Sequence, residues 1–136
     1  MRYLLDSNAF IDVLSARRPE VTRRFVALRP EEAVLSSIVV AELRFGADKS
    51  ERPLYNHARI DRLLEEVTPQ DFDLAAAAEY GRIRAHLQAL GTPIGPNDLL
   101  IAAHALALGA VMVTDNVREF GRVEGLNLEN WRSSLP

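Results

Sequence analysis

The stretch YLLDSN, residues 3–8, runs from an apolar strand straight into an acid. Its first three residues favour a buried strand, and Asp6 follows directly, with Ser7 and Asn8 behind it. A buried strand end is an unfavourable place for an unpaired charge. We therefore expect the rest of the chain to supply partners for Asp6.

The composition limits the classes of protein to consider. The 136 residues, 48% hydrophobic and 26% charged, fit one soluble domain over residues 1–136. There is no apolar run of the ~18 residues that a membrane helix needs, and no pattern typical of a secretory signal. The absence of cysteine excludes disulfides and thiolate metal sites. Together these features favour a cytoplasmic protein.

Charge is distributed unevenly along the chain. The net charge of -3 argues against a general nucleic-acid binder, since such proteins are usually basic. Four arginines nevertheless cluster in the sequence: Arg17, Arg18, Arg23 and Arg24. They are the natural candidates for a local cationic surface.

Apolar strands alternate with helical patterns over the whole length. Strands are predicted at about residues 2–5, in EAVLSS (32–37) and in AVMVT (110–114). Helices are predicted through 10–14, from Pro19 to about Leu28, over 38–47 and from Pro53 to Glu66. A long helix is predicted within 71–91, with Asp71 or Asp73 at its start and Gly91 as its stop, and an apolar helix over 97–109. Solid apolar strands separated by helices predict an α/β fold, with a short central parallel sheet covered by helices on both faces.

Four carboxylates are placed to meet at one edge of this sheet. Asp6 and Asp115 each follow a strand, and functional groups of open parallel sheets gather at the carboxyl ends of strands. Asp98 opens the apolar helix that leads back into AVMVT, which places it near the same edge. Glu42 lies within the helix that follows the second strand.

Three of the four acids also have a purely structural interpretation, whereas the buried strand end makes one difficult for Asp6. Asp98 would favour the dipole of its helix, and Asp115 would suit a turn. Glu42 would be an exposed helical residue or would pair with Arg44 or Arg24. If all four acids meet at one edge, however, each negative charge raises the pKa of the others. The cluster then destabilises the fold unless a cation neutralises it. All-oxygen ligands select a hard divalent ion, Mg²⁺ or Mn²⁺.

Five stretches of the chain, in order, resemble the PIN-domain ribonucleases of the VapC toxin type. They are LLDSN, AELRFGA, GTPIGPNDLLIAAHAL, VTDN and REFGRVEGLNLENW. The resemblance implies a single PIN domain and a Mg²⁺-dependent endoribonuclease, the toxin of a toxin–antitoxin pair. The third stretch and the ending are most similar to VapC toxins that cut initiator tRNA in its anticodon region, which makes tRNA the expected substrate.

The resemblance also assigns roles to residues. The metal-binding and catalytic acids of the family fall on Asp6, Glu42, Asp98 and Asp115, with Asp6 and Asp98 foremost as direct ligands of Mg²⁺. The supporting polar residues fall on Asn8, Thr114 and Asn116. The chain departs from the pattern at Ser7, where threonine is more usual, and at Asp115, where the initiator-tRNA cutters can carry asparagine.

Partners follow from the same resemblance. VapC toxins form homodimers, and a small antitoxin wraps the toxin and inserts a basic side chain among its carboxylates. Such a side chain would compete with the metal for the same oxygens. The RNA substrate would need cationic surface near an acidic site, for which the four clustered arginines are the candidates.

Two other classes of protein are excluded, because each requires a residue that this chain lacks at the relevant position. A haloacid-dehalogenase-like phosphatase needs a second aspartate two residues after the first, where this chain has Asn8. A receiver domain needs a lysine after a late strand, whereas Lys49, the only lysine, follows the Glu42 helix. A catalytically inactive RNA-binding PIN domain remains the alternative, although such a domain would be expected to have lost one of the four acids.

Overall fold

A five-stranded parallel sheet forms the centre of the structure, a computed structural model that describes residues 1–132. Its strands are β1 (Tyr3–Leu5), β2 (Ala33–Ser36), β3 (Pro69–Gln70), β4 (Val111–Val113) and β5 (Leu128–Glu129). They lie in the order β3-β2-β1-β4-β5, and every neighbouring pair is parallel. The predicted α/β class with a parallel sheet is confirmed.

Helices fill the connections between the strands. They are α1 (Ser7–Ser15), α2 (Pro19–Val26), α3 (Ser37–Asp48), α4 (Pro53–Glu66), α5 (Leu74–Leu90), α6 (Pro96–Leu108) and α7 (Val117–Phe120), with a 3₁₀ turn at Pro30–Glu32. The observed α4 has the predicted bounds. The short elements β3, β5, α7 and the 3₁₀ turn were not predicted, because two to four residues carry no measurable periodicity.

Local capping explains where the longer helices begin and end. The Ser36 hydroxyl accepts a hydrogen bond from the amide of Ile38 at 3.1 Å and starts α3. Asp73 starts α5 in the same way, through the amide of Ala76 at 3.0 Å. Gly91 ends α5 in the left-handed conformation, at φ 71°.

The apolar helix α6 packs against the sheet and α5, and most of its residues are buried. It has 13 residues, and no helix in the described part of the chain is both long and apolar enough to cross a bilayer. His104 of α6 is 1% exposed, and its Nδ1 lies 2.8 Å from the hydroxyl of Ser36. Burial lowers the pKa of His104. This histidine is part of the packed core.

The pairing of β1 with β4 brings the two strand ends together. Leu5 lies opposite Val113, and the amide of Asp6 donates to the carbonyl of Val113 at 3.0 Å. The next residues, Asp6 and Thr114, therefore leave the sheet side by side at its carboxyl edge. This edge carries the candidate site.

Candidate active site

Asp6 is the most deeply buried acid at this edge, with 6% of its surface exposed. Its Oδ1 accepts from the amide of Ala9 at 2.9 Å and so caps α1, and the Thr114 hydroxyl donates to the same carboxylate. Burial raises the pKa of Asp6, the two hydrogen bonds oppose the rise, and the charge of Asp115 adds to it. The predicted need for partners is met by Thr114 and the start of α1.

Asp98 lies in the first turn of α6 and faces three other acids. Its pKa is raised to about 6, first by burial and then by the charges of Glu119, Glu42 and Asp6. A helix dipole alone would lower the pKa of an acid at this position. Burial and the neighbouring carboxylates together therefore outweigh the dipole, and the structural interpretation of Asp98 is insufficient.

Glu42 is held between two other elements of the fold. The hydroxyl of Ser7 on α1 donates to its Oε1, and the side-chain amide of Asn97 on α6 donates to its Oε2 at 3.2 Å. Arg44 and Arg24, the alternative partners considered above, each bond a different carboxylate. Glu42 thus joins Asp6 and Asp98 instead of forming a surface ion pair.

Glu119 on α7 is a further carboxylate at this edge, and it was not among the predicted site residues. Its Oε1 accepts from the amide of Gly95 at 2.7 Å, and its Oε2 from the side chain of Asn116 at 3.1 Å. These bonds lower the pKa of Glu119, and its charge is the largest contributed by another acid to the raised pKa of Asp98. The one indication in the sequence is that Glu119 lies four residues after Asp115. This indication is weak, because α7 has only four residues and no recognisable periodicity.

Asp115 lies at the exposed side of the cluster and has a cationic partner. Its Oδ2 accepts from Nη1 of Arg132 at 2.7 Å. The same guanidinium binds both oxygens of Asp12, at 2.7 and 3.1 Å. No local sequence pattern predicts this contact, because Arg132 and Asp12 are 120 positions apart.

The three predicted supporting residues have different surroundings. Thr114 is buried, and its Oγ1 accepts from the amide of Asn116 at 3.0 Å in addition to its bond with Asp6. Asn116 orients Glu119 through its side chain. Asn8 is exposed in the first turn of α1.

The clustered arginines also differ from one another. Arg17 lines a groove of about 320 Å³ together with Glu42. Arg18 lies 3.8 Å from Asp12. Arg24 bonds Glu129 at 2.8 Å, and Arg23 is exposed in the last turn of α2.

None of the three histidines contacts the acids at the sheet edge in the described residues. His57 bonds Asp48 and Arg44, and His104 bonds Ser36. The third, on α5, lies 3.5 Å from a carboxylate oxygen of Glu124. A histidine pair acting as general acid and base is thus not part of this site.

The donor set fits a hard divalent ion. Within residues 1–132, no three acidic or histidine side chains are drawn together tightly enough to surround an ion by themselves. Mg²⁺ in proteins commonly takes only one or two carboxylates and keeps several waters. Asp6 and Asp98 are oxygen donors whose pKa values are raised by burial and by neighbouring acids. A cation would relieve that repulsion.

Comparisons with known proteins agree on one family. A family model for the PIN domain matches residues 3–126. Ribonuclease VapC2 of Haemophilus influenzae is 44% identical over 96% of this chain and 98% of its own length, and the tRNA(fMet)-specific endonuclease VapC of Shigella flexneri is 40% identical over the same shares. The crystal structure of VapBC2 from Rickettsia felis, bound to a DNA fragment from its promoter, matches with a TM-score of 0.89 at 36% identity, over 96% of this chain and 99% of that one.

Proposed function

The chain belongs to the PIN-domain family and, within it, to the VapC ribonucleases, and we propose that it is the toxin of a toxin–antitoxin pair, an endoribonuclease that hydrolyses RNA. The observation that carries this proposal is the group of acids around Asp98, whose pKa is raised to about 6 by burial and by the charges of Glu119, Glu42 and Asp6. PIN-domain ribonucleases generally depend on a divalent metal, and this cluster has the charge and the oxygen donors for one.

In this proposal the ion is Mg²⁺, with Mn²⁺ able to substitute, and Asp6 and Asp98 hold it. When bound, such an ion lowers the pKa of a water and stabilises negative charge on the leaving oxygen. Glu42 orients the attacking water and accepts its proton, because Ser7 and Asn97 fix its carboxylate beside Asp98. Asp115 lies at the outer side of the site, where its carboxylate accepts a hydrogen bond from Arg132.

Hydrolysis by this arrangement has a defined outcome. The water oxygen forms a bond to phosphorus while the bond from phosphorus to the 3′-oxygen breaks in line. The proton of the water passes to Glu42, and the leaving 3′-oxygen takes a proton from solvent. The products carry a 5′-phosphate and a 3′-hydroxyl, and the 2′-OH of the substrate is not the nucleophile.

The substrate and partners follow from the relatives. The Shigella flexneri relative is named as specific for tRNA(fMet), and the structural neighbours are VapBC complexes. We therefore assign tRNA as the substrate class, initiator tRNA as its first candidate, and a cognate antitoxin as the inhibitor. The toxin would act in the cytoplasm, as a homodimer in which residues 1–136 form one domain. Arg17, Arg18, Arg23 and Arg24 would contact RNA phosphates.

The test is cleavage by the purified chain, freed from its antitoxin. Total RNA and a transcript of initiator tRNA are incubated with Mg²⁺ or with EDTA, and the new 5′ ends are mapped by sequencing. We expect discrete cuts with Mg²⁺, none in EDTA, and none with Asp6→Asn. The control is Glu79→Gln, which removes an acid paired with Arg82 on α5. Undiminished cleavage in EDTA would overturn the metal-assisted mechanism.

A further inference from the structure

Arg132 links the acidic site to a buried carboxylate outside it. Its Nε and Nη2 donate to the two oxygens of Asp12 at 2.7 and 3.1 Å, and its Nη1 donates to Asp115 at 2.7 Å. A guanidinium presents its donors in a rigid planar fork. The two bonds to Asp12 therefore fix the direction in which the remaining donor meets Asp115.

Asp12 keeps the guanidinium in this place. Its surface is 5% exposed, and a buried carboxylate that loses its partner strongly destabilises the fold. Arg18 lies 3.8 Å away and is a weaker partner by distance. Arg132 is consequently a fixed positive charge beside Asp115, and its charge also reaches Asp6.

We propose that Arg132 is a positioning residue that neutralises Asp115 in place of a second metal ion. This inference rests on the proposed function. Sites with two metal ions share carboxylates between ions about 3.5 to 4 Å apart. Asp115 is the acid on the outer side of this cluster, and Arg132 already neutralises it. The site therefore takes one divalent ion, on the side of Asp6 and Asp98.

Binding of Mn²⁺ tests the inference without reference to activity. Titration of the metal-free chain is followed by the electron paramagnetic resonance signal of free Mn²⁺ and by calorimetry. We expect one ion per chain in the wild type and two in Arg132→Ala, because Asp115 is then free to bind. Adding Asp115→Asn to Arg132→Ala should return the count to one.

Two further variants keep the test decisive. Arg132→Ala leaves Asp12 buried without its main partner, so the double variant Asp12→Asn/Arg132→Met, which leaves no buried charge behind, should also bind two ions. Arg82→Ala removes an arginine from an ion pair on α5 and should bind one.

Three results would overturn the inference, and they bear differently on the proposed function. Two ions in the wild type, or one ion in both Arg132 variants at an affinity within twofold of the wild type, would overturn the role of Arg132 and leave metal-assisted cleavage standing. A wild-type chain that binds no Mn²⁺ would overturn both.

Discussion

The hydroxyl of Ser7 donates a hydrogen bond to the carboxylate of Glu42, 35 positions further along the chain. Ser7 directly follows Asp6, so this bond ties the start of α1 to α3 beside the buried acid. The position of Glu42 therefore depends on the same turn that delivers Asp6 from the sheet. Sequence patterns place each residue on its element, and the hydrogen bond makes them parts of one site.

Replacing Ser7 tests whether this bond orients Glu42. We expect Ser7→Ala to slow single-turnover cleavage by about tenfold to about a hundredfold, because a hydrogen bond to a charged group contributes ~1.5–3 kcal/mol. Ser7→Thr keeps the hydroxyl and should cleave at close to the wild-type rate. Equal rates for Ser7→Ala and Ser7→Thr would show that Glu42 does not need this contact.

Asp98→Asn should separate activity from stability. Cleavage should fall by about 10²-fold or more, because one charge that would hold the ion is lost. In EDTA, the variant should unfold at a higher urea concentration than the wild type, because the repulsion from Glu119, Glu42 and Asp6 is relieved. Urea titration monitored by fluorescence of the buried Trp131 measures this. A variant that cuts RNA at the wild-type rate would show that the site is wrongly assigned.

Titration of Asp98 should contribute to the pH dependence of the free energy of unfolding of the metal-free protein. Its pKa is raised to about 6 in the folded state, so the folded state binds this proton more tightly than the unfolded state. The contribution of Asp98 to stability is therefore lost as the pH rises from about 4 to about 6. His104, whose pKa is lowered by burial, has the opposite slope.

Comparison with Asp98→Asn cancels the effect of His104. The free energy of unfolding is measured in EDTA at each pH for both proteins. The difference between them should grow in favour of the variant up to pH 6 and then level off. A difference independent of pH would show that Asp98 has an ordinary pKa in the folded protein.

Glu119→Gln should weaken the binding of Mg²⁺ without abolishing cleavage. The substitution keeps an oxygen that accepts from the amide of Gly95. It removes the negative charge that, among the neighbouring acids, contributes most to the raised pKa of Asp98. We expect the Mg²⁺ concentration for half-maximal cleavage to rise, while the rate at saturating Mg²⁺ stays within about tenfold of the wild type. Glu124→Gln, an exposed acid in the next turn of the chain, should leave both quantities unchanged.

The ends of the products distinguish water from the 2′-OH as the nucleophile. We expect 5′-phosphate and 3′-hydroxyl ends, because the acids would serve an attacking water and the described histidines have partners elsewhere. A 2′-deoxy nucleotide at the cut should still be cleaved. A 2′,3′-cyclic phosphate among the products would assign the attack to the 2′-OH.

The sequence was sufficient for those parts of the site that belong to regular elements. Asp6 follows an apolar strand and Asp98 opens an apolar helix, so their meeting at one edge follows from the topology of parallel sheets. Glu119 lies on a helix of only four residues, which has no recognisable pattern. The contact of Arg132 with Asp12 depends on the path of the chain after β5, and no local rule gives that path.

The order of strands has a consequence for the newly made protein. The first strand synthesised, β1, lies at the centre of the sheet between β2 and β4, and β4 begins only at Val111. Contacts so distant in sequence form late in folding. A nascent or truncated chain that lacks β4 has neither the neighbour that fixes Asp6 nor the acid on α7. We therefore expect fragments that end before β4 to be unable to cleave RNA. The activity would then arise only when synthesis of the chain is nearly complete.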